Sequence, residues 1–222
     1  MWHNDEELFE MVRSKLFSAV IGDVLDTMRL LNQFLPPSIQ PLREDMVALG
    51  RAMPVLHADL HPNPDAGRKP FGLMLEALDD LRPNEVYIAA GASPVYALWG
   101  ELMSTRAMKL GCTGAVLNGY SRDTPGILRL NFPTFSMGRY AQDQGPRGEV
   151  VDFRTTVQIG AVRIRPGDII FGDIDGVVVI PQTAEREVLE RALEKAEKEN
   201  LVRVAIENGM PALSAFQTYG VM

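Results

Sequence analysis

Near the start of the chain, Leu8, Met11, Val12, Leu16 and Phe17 recur three and four residues apart, the spacing of one helical face. It predicts a helix over Asn4–Ala19, capped by Asn4 or Asp5, and a second over Asp23–Leu31. The proline-rich stretch 33–41 reads as a loop. An extended piece at Gly50–Leu56 leads into His57–His61 and the turn Pro62-Asn63-Pro64-Asp65. Phe71–Leu81 returns to helical spacing and stops near Pro83.

Beyond Pro83 the pattern alternates. Val86-Tyr87-Ile88-Ala89-Ala90 is a continuous apolar run ending at Gly91, a helix follows as far as Gly111, and Ala115–Asn118 is a second apolar run. Unbroken apolar strands separated by a helix define a βαβ unit with parallel strands. Phe135 falls on a further short strand. The second half has shorter periods: Val150–Val157, Ala161–Ile164, Asp168–Phe171 and Gly176–Ile180 read as strands broken by Gly160, Pro166-Gly167 and Asp173–Gly176, which predicts an antiparallel second layer. A long helix from Thr183 to about Glu207 and a short one after Pro211 complete the pattern.

Composition changes this picture little. The chain has 222 residues, 46% of them hydrophobic, enough for one domain spanning 1–222. Its formal net charge of −7 argues against a nucleic-acid binder working by phosphate neutralisation. The single cysteine, Cys112, forms no internal disulfide, and the first residues lack a signal-peptide pattern, so a cytoplasmic protein is expected. No apolar run reaches the roughly 20 residues of a membrane span, and no membrane partner is expected.

Ligands of α/β sheets bind beyond the carboxyl ends of the strands. There, Trp99-Gly100-Glu101-Leu102-Met103 follows the first strand of the βαβ unit and Arg122-Asp123 follows the second. Parallel strands put both segments on one edge. A helix start offers free N–H groups to a carboxylate, an arginine binds it bidentately, and Asp with Glu supplies hard oxygen ligands for Mg²⁺ or Mn²⁺. Taken singly, each residue reads as an ordinary surface charge; their convergence makes the site. His57-x-Asp59-x-His61 would turn three metal-capable side chains to one face of a strand, but Pro62 and Pro64 favour a polar strand exit. Cys112 reads as a small buried residue, and Asp173-Ile174-Asp175-Gly176 as a turn.

These motifs, together with Gly111-x-x-Gly114, Asn118-Gly119, Phe132-Pro133-x-Phe135, Arg165-Pro166-Gly167-Asp168 and Asp175–Pro181, resemble the RraA-like family. That family includes metal-dependent 4-hydroxy-4-methyl-2-oxoglutarate/4-carboxy-4-hydroxy-2-oxoadipate aldolases and the regulator of ribonuclease E activity. The resemblance implies an α/β fold, a swivelling β/β/α three-layer domain with a central βαβ unit and a long C-terminal helix. It also implies a homotrimer or dimer of trimers with interfacial sites. The family aldolases carry Asp, 20 intervening residues and Arg-Asp; here Glu101 stands first, with the same gap to Arg122-Asp123.

By that resemblance Asp123 coordinates the divalent metal, Arg122 grips the pyruvate carboxylate and carbonyl oxygen, Gly100 with the amides of Leu102 and Met103 holds the carboxylate, and Glu101 holds a metal-bound water. Glu199 is the candidate acid supplied by a neighbouring subunit's helix. The implied activity is a lyase, by retro-aldol cleavage or oxaloacetate decarboxylation of pyruvate-derived 2-oxo acids. The alternative is a non-catalytic regulator that binds a ribonuclease or another protein. Glu for Asp at position 101 and Asn118 in the more usual Asp-Gly pair imply a subgroup of altered substrate or chemistry.

Overall fold

The structure is a computed structural model that describes residues 2–60 and 69–221. The chain divides into two compact units, Asn32–Gln182 and Met1–Leu31 with Thr183–Met222.

The terminal unit is helical. It consists of α1 (Asp5–Lys15) and α2 (Ser18–Thr27) from the start of the chain; α3 (Met74–Asp79), α4 (Glu101–Lys109) and α5 (Thr124–Leu130) belong to the central unit, and α6 (Glu185–Glu207) and α7 (Ala212–Tyr219) complete the terminal one. Asn4 caps α1, its Oδ1 accepting the Glu7 N–H at 2.9 Å. The apolar spacing predicted one helix through Ala19, but Leu16 and Phe17 are extended and split it in two. A two-residue break leaves the apolar positions in place, so periodicity does not register it. Helix α2 ends sooner than expected, just before Arg29 at φ 63°. Lys195 of α6 reaches Asp23 of α2 at 2.8 Å.

The central unit contains the strands β1 (Gln40–Pro41), β2 (Ala48–Asp59), β3 (Glu85–Ala90), β4 (Ala97–Trp99), β5 (Gly114–Leu117), β6 (Tyr120–Ser121), β7 (Thr134–Ser136), β8 (Gly148–Phe153), β9 (Val157–Ile159), β10 (Val162–Ile164), β11 (Ile169–Asp173) and β12 (Gly176–Ile180). Eight of them form one sheet in the order β1-β7-β5-β3-β2-β11-β12, with β8 also on β2. The pairs β2–β3, β3–β5 and β5–β7 are parallel, so the expected βαβ unit β3-α4-β5 is present, flanked by two more through α3 and α5. Helix α5, of seven residues, is too short for periodicity to reveal.

The expected antiparallel strands form, but they do not make a layer of their own. β11 and β8 both pair with β2, and only β9–β10 stands as a separate hairpin. The cause is the length of β2. With 12 residues, it carries β11 along its first part and β8 along its last, while β3 takes the opposite edge. Asp173 pairs with Gly176 across a two-residue loop, which makes the Asp173–Gly176 motif the predicted turn. Strands β3 and β5 are buried along their whole length, as parallel strands covered on both faces require.

One ion cluster fastens the sheet beneath this core. Arg154 donates to Glu85 Oε1 at 2.6 Å and Oε2 at 3.0 Å, to the Asp80 carbonyl at 2.7 Å and to the Asp80 carboxylate. Glu85 is only 8% exposed, so loss of its partner leaves a charge in a poorly solvated place. Arg154→Ala should lower the free energy of unfolding by about 3 kcal/mol in urea denaturation, whereas Lys198→Ala, which breaks an exposed pair with Glu194, should change it by less than about 0.5 kcal/mol.

Candidate active site

The site begins where β3 leaves the sheet. The loop after Ala90 is held by Asp59, whose carboxylate accepts the Ser93 N–H at 3.0 Å, the Ser93 hydroxyl and the Tyr96 hydroxyl at 2.7 Å. Burial works against the charge, but these donors outweigh it and keep the carboxyl below the ordinary Asp range. The loop then enters β4, which pairs in parallel with β6, Ala97 opposite Tyr120 and Trp99 opposite Ser121. The Arg122 N–H continues that ladder to the Trp99 carbonyl at 2.9 Å. Arg122-Asp123 is thereby set beside the start of α4, the juxtaposition expected from parallel strands.

Gly100 precedes α4 in an extended conformation and offers no capping side chain. The first backbone bond of the helix is Ser104 N–H to the Gly100 carbonyl, which leaves the amides of Glu101, Leu102 and Met103 ahead of the helical ladder. Glycine is also required by space: a Cβ there would lie 2.7 Å from Asp123 Oδ2. Asp123 itself sits at φ 54°, a conformation uncommon outside glycine but tolerated by Asp. Its carbonyl accepts the Gly126 N–H at 2.9 Å and starts α5.

Arg122 lies 3.9 Å from the Asp123 carboxylate and 3.3 Å from that of Asp143. Glu101 turns towards α5, where a Cβ on Gly126 would fall on its carboxyl carbon, and its Oε1 is 3.7 Å from Arg129. The missing side chain at 126 is what accommodates the longer acid. Gly100, Leu102, Met103, Arg122, Asp123 and Asp143 border a cleft of about 230 Å³; Glu101, turned to Gly126 and Arg129, is not among the residues that line it.

Asp143 and Gln144 escaped the sequence reading. They reach the cleft because their segment pairs with β4, Ala97 N–H donating to the Gln142 carbonyl at 2.8 Å, a tertiary contact without a local signature. Glu199 lies on α6 in the terminal unit, 3.1 Å from Lys195.

His57 is 1% exposed, and neither ring nitrogen has a partner among the described residues; the buried Gln144 amide likewise has none. Burial pushes the imidazole down to about 4, opposed to a lesser degree by the Gln144 side chain, which lies nearby without forming a hydrogen bond of good geometry. The expected strand exit does not occur at these residues: β2 continues through Asp59, paired with β8, with His57 buried and Asp59 committed to the Ser93 loop, while His61 lies outside the described residues. Cys112 is buried, its thiol pushed up to about 11 chiefly by burial.

Among the described residues no three His, Cys, Asp or Glu side chains cluster as a metal cage. Mg²⁺ asks for less: one or two carboxylates, with water completing an octahedron. Asp123, half exposed with one oxygen over the space left by Gly100, fits that demand, with Glu101 on the neighbouring helix.

The sequence model of the RraA-like family, described as Aldolase/RraA, matches residues 18–179, and the chain belongs to this family. A Halalkalibacterium halodurans protein named "Putative 4-hydroxy-4-methyl-2-oxoglutarate aldolase" is 31% identical over 197 residues, covering 88% of this chain and 87% of that one. Protein DlpA of Legionella pneumophila is 29% identical over 91% of this chain, which spans only 32% of DlpA's length. Among solved structures, a protein from Pseudomonas syringae pv. tomato superposes with a TM-score of 0.85 at 25% identity, covering 98% of this chain and 96% of that one. Streptomyces coelicolor RraAS2, described as an unusual member of the RNase ES inhibitor RraA protein family, does so with a TM-score of 0.78 at 22% identity, covering 91% of this chain and 99% of that one. These likenesses bear out the expected α/β fold and family.

Two outcomes test the local physics. His57 has a lowered folded-state value, so between about 6.5 and 4 the unfolded chain binds the extra proton; stability should fall as pH drops through that window, by up to about 3 kcal/mol. Chemical denaturation at stepped pH should show His57→Gln lacking this component. Separately, Gly126→Ala should displace Glu101 with little change in thermal stability, because the nearest atoms a Cβ would meet are the far end of that flexible side chain. A crystal structure should show that carboxylate moved, and Glu101→Asp in the same background should relieve the clash.

Proposed function

We propose that this chain is a divalent-cation-dependent carbon–carbon lyase acting on pyruvate-derived 2-oxo acids, by retro-aldol cleavage, oxaloacetate decarboxylation or both. The observation that carries the reading is one cleft bordered by an uncapped helix start, an arginine and a half-exposed Asp. The aldolase names among the relatives support it.

In this reading the amides of Leu102 and Met103, together with Arg122, grip the substrate carboxylate. Asp123 would hold Mg²⁺ or Mn²⁺, with Glu101 on the neighbouring helix, and the cation would supply Lewis acidity to the bound 2-oxo acid. Glu101, acting through a water, takes the proton of the 4-hydroxyl. The C3–C4 bond breaks, its electrons pass to the enolate, and Arg122 offsets part of the charge. The relay returns the proton to C3, giving pyruvate and a carbonyl product. Decarboxylation forms the same enolate with CO₂ as leaving group, so one arrangement serves both reactions. In a homotrimer or dimer of trimers, Glu199 from another copy supplies a further carboxylate.

Purified protein with Mg²⁺ or Mn²⁺ should release pyruvate from oxaloacetate or a 4-hydroxy-2-oxo acid, measured with lactate dehydrogenase. Asp123→Asn should lower kcat by at least about a hundredfold, and Arg122→Lys should raise KM by losing the bidentate grip. A protein that releases no pyruvate from such a panel and binds neither cation contradicts the proposal, and stable capture of a ribonuclease would then favour the non-catalytic regulator.

A further inference from the structure

A second hollow adjoins the cleft. It measures about 380 Å³, and Ser121, Arg122, Asp123, Thr124, Arg139 and Tyr140 are among the residues that line it. Arg122 and Asp123 line both spaces, so a molecule anchored on that pair meets the second hollow without leaving the site.

Backbone pairing fixes what this hollow presents. The Ser121 N–H donates to the Gly138 carbonyl at 3.0 Å, and the Tyr140 N–H donates to the Ser121 carbonyl at 2.9 Å. These two bonds clasp Arg139 opposite the residue that precedes Arg122. Both segments follow parallel strands, β5 leading into β6 and β7 ending three residues before Arg139, so both lie at the edge where α/β sheets take ligands. Tyr140 packs edge-on against Tyr120, with ring centroids 5.6 Å apart, and holds the turn from its far side.

The Arg139 side chain is oriented but not neutralised. One terminal nitrogen donates to the Leu42 carbonyl at 3.1 Å. Among the described residues its guanidinium makes no other hydrogen bond and no ion pair. An arginine has five N–H donors in a planar fork, so most of them remain for a ligand.

Charge separates the two spaces. The cleft sets Arg122 against two carboxylates, Asp123 and Asp143. The second hollow sets Arg122 and Arg139 against Asp123. With a divalent cation on Asp123 the cleft balances one substrate carboxylate, and Arg139 is placed to balance a second. On a chain of net charge −7 a dianion depends on such local cations.

We infer that Arg139 is a specificity-determining residue whose guanidinium takes the far carboxylate of a 2-oxo dicarboxylate, held in the second hollow while the 2-oxo acid end lies on Arg122 and Asp123. The inference rests on the proposed reading of that pair. Arg139 is remote from the bonds that change, so its effect lies in which ligand binds and how tightly.

Isothermal titration in the presence of Mg²⁺ tests it with three probes: oxalate, 2-oxoglutarate, and 2-oxopentanoate, which has the same chain length with a methyl in place of the far carboxylate. The wild-type protein should bind 2-oxoglutarate at least about tenfold more tightly than 2-oxopentanoate, the discrimination one charge-assisted hydrogen bond gives. Arg139→Gln, at an exposed position, should abolish that preference and leave the binding of oxalate, confined to Arg122 and Asp123, unchanged. Arg139→Lys should keep part of the preference, as a point charge without the fork. Oxalate binding by a wild type that shows no preference for 2-oxoglutarate overturns this inference and leaves the 2-oxo acid reading standing. A preference that survives Arg139→Gln also overturns it, as does an equal loss of all three probes, the mark of a general charge effect. If the wild type binds none of the three, the 2-oxo acid reading and the inference fall together.

Discussion

A few backbone hydrogen bonds between two very short strands govern the chemistry of this protein. β4 and β6 are three and two residues long, yet their parallel pairing, extended by Arg122 N–H to the Trp99 carbonyl, brings the open start of α4 against Arg122-Asp123. The longer sheet sets the direction of both segments, and the short one sets their register. The side chains follow: Gly100 is small because Asp123 is above it, and Gly126 is small because Glu101 lies on it. Asp59 supports the arrangement from below by fastening the loop that feeds β4.

The electrostatics rest on the same contact. A chain of net charge −7 seems a poor receptor for an anion, and the cleft carries two carboxylates against one arginine. A helix N-terminus and a guanidinium make the field locally positive over a few ångströms. Under the proposed reading a divalent cation on Asp123 completes the reversal. Part of the chain's acidity then serves to hold a cation, so net charge excludes less about the ligand than its sign implies.

Much of this was legible in the sequence. The apolar runs at Val86–Ala90 and Ala115–Asn118 announced parallel strands, and parallel strands predicted that Gly100–Met103 and Arg122-Asp123 would meet. What was not legible depends on long-range pairing. Asp143 reaches the cleft through a contact with β4, and nothing near it in the chain marks that. β8 and β11 join the main sheet because β2 is long enough to carry both, a fact about a third strand. The break at Leu16–Phe17 preserved helical spacing across it, and the seven residues of α5 gave too few turns to show a period. The departure Glu101 was visible at once, but its compensation at Gly126 needed three dimensions, since the two residues meet only across helices.

On the proposed reading the paired segments form one receptor for a carboxylate and a cation. A crystal structure of the protein grown with Mg²⁺ and oxalate, a stable mimic of the pyruvate enolate, addresses it most directly. The cation is expected on Asp123 and an oxalate carboxylate between Arg122 and the amides of Leu102 and Met103. A cation bound away from Asp123, or oxalate bound outside this cleft, would contradict it.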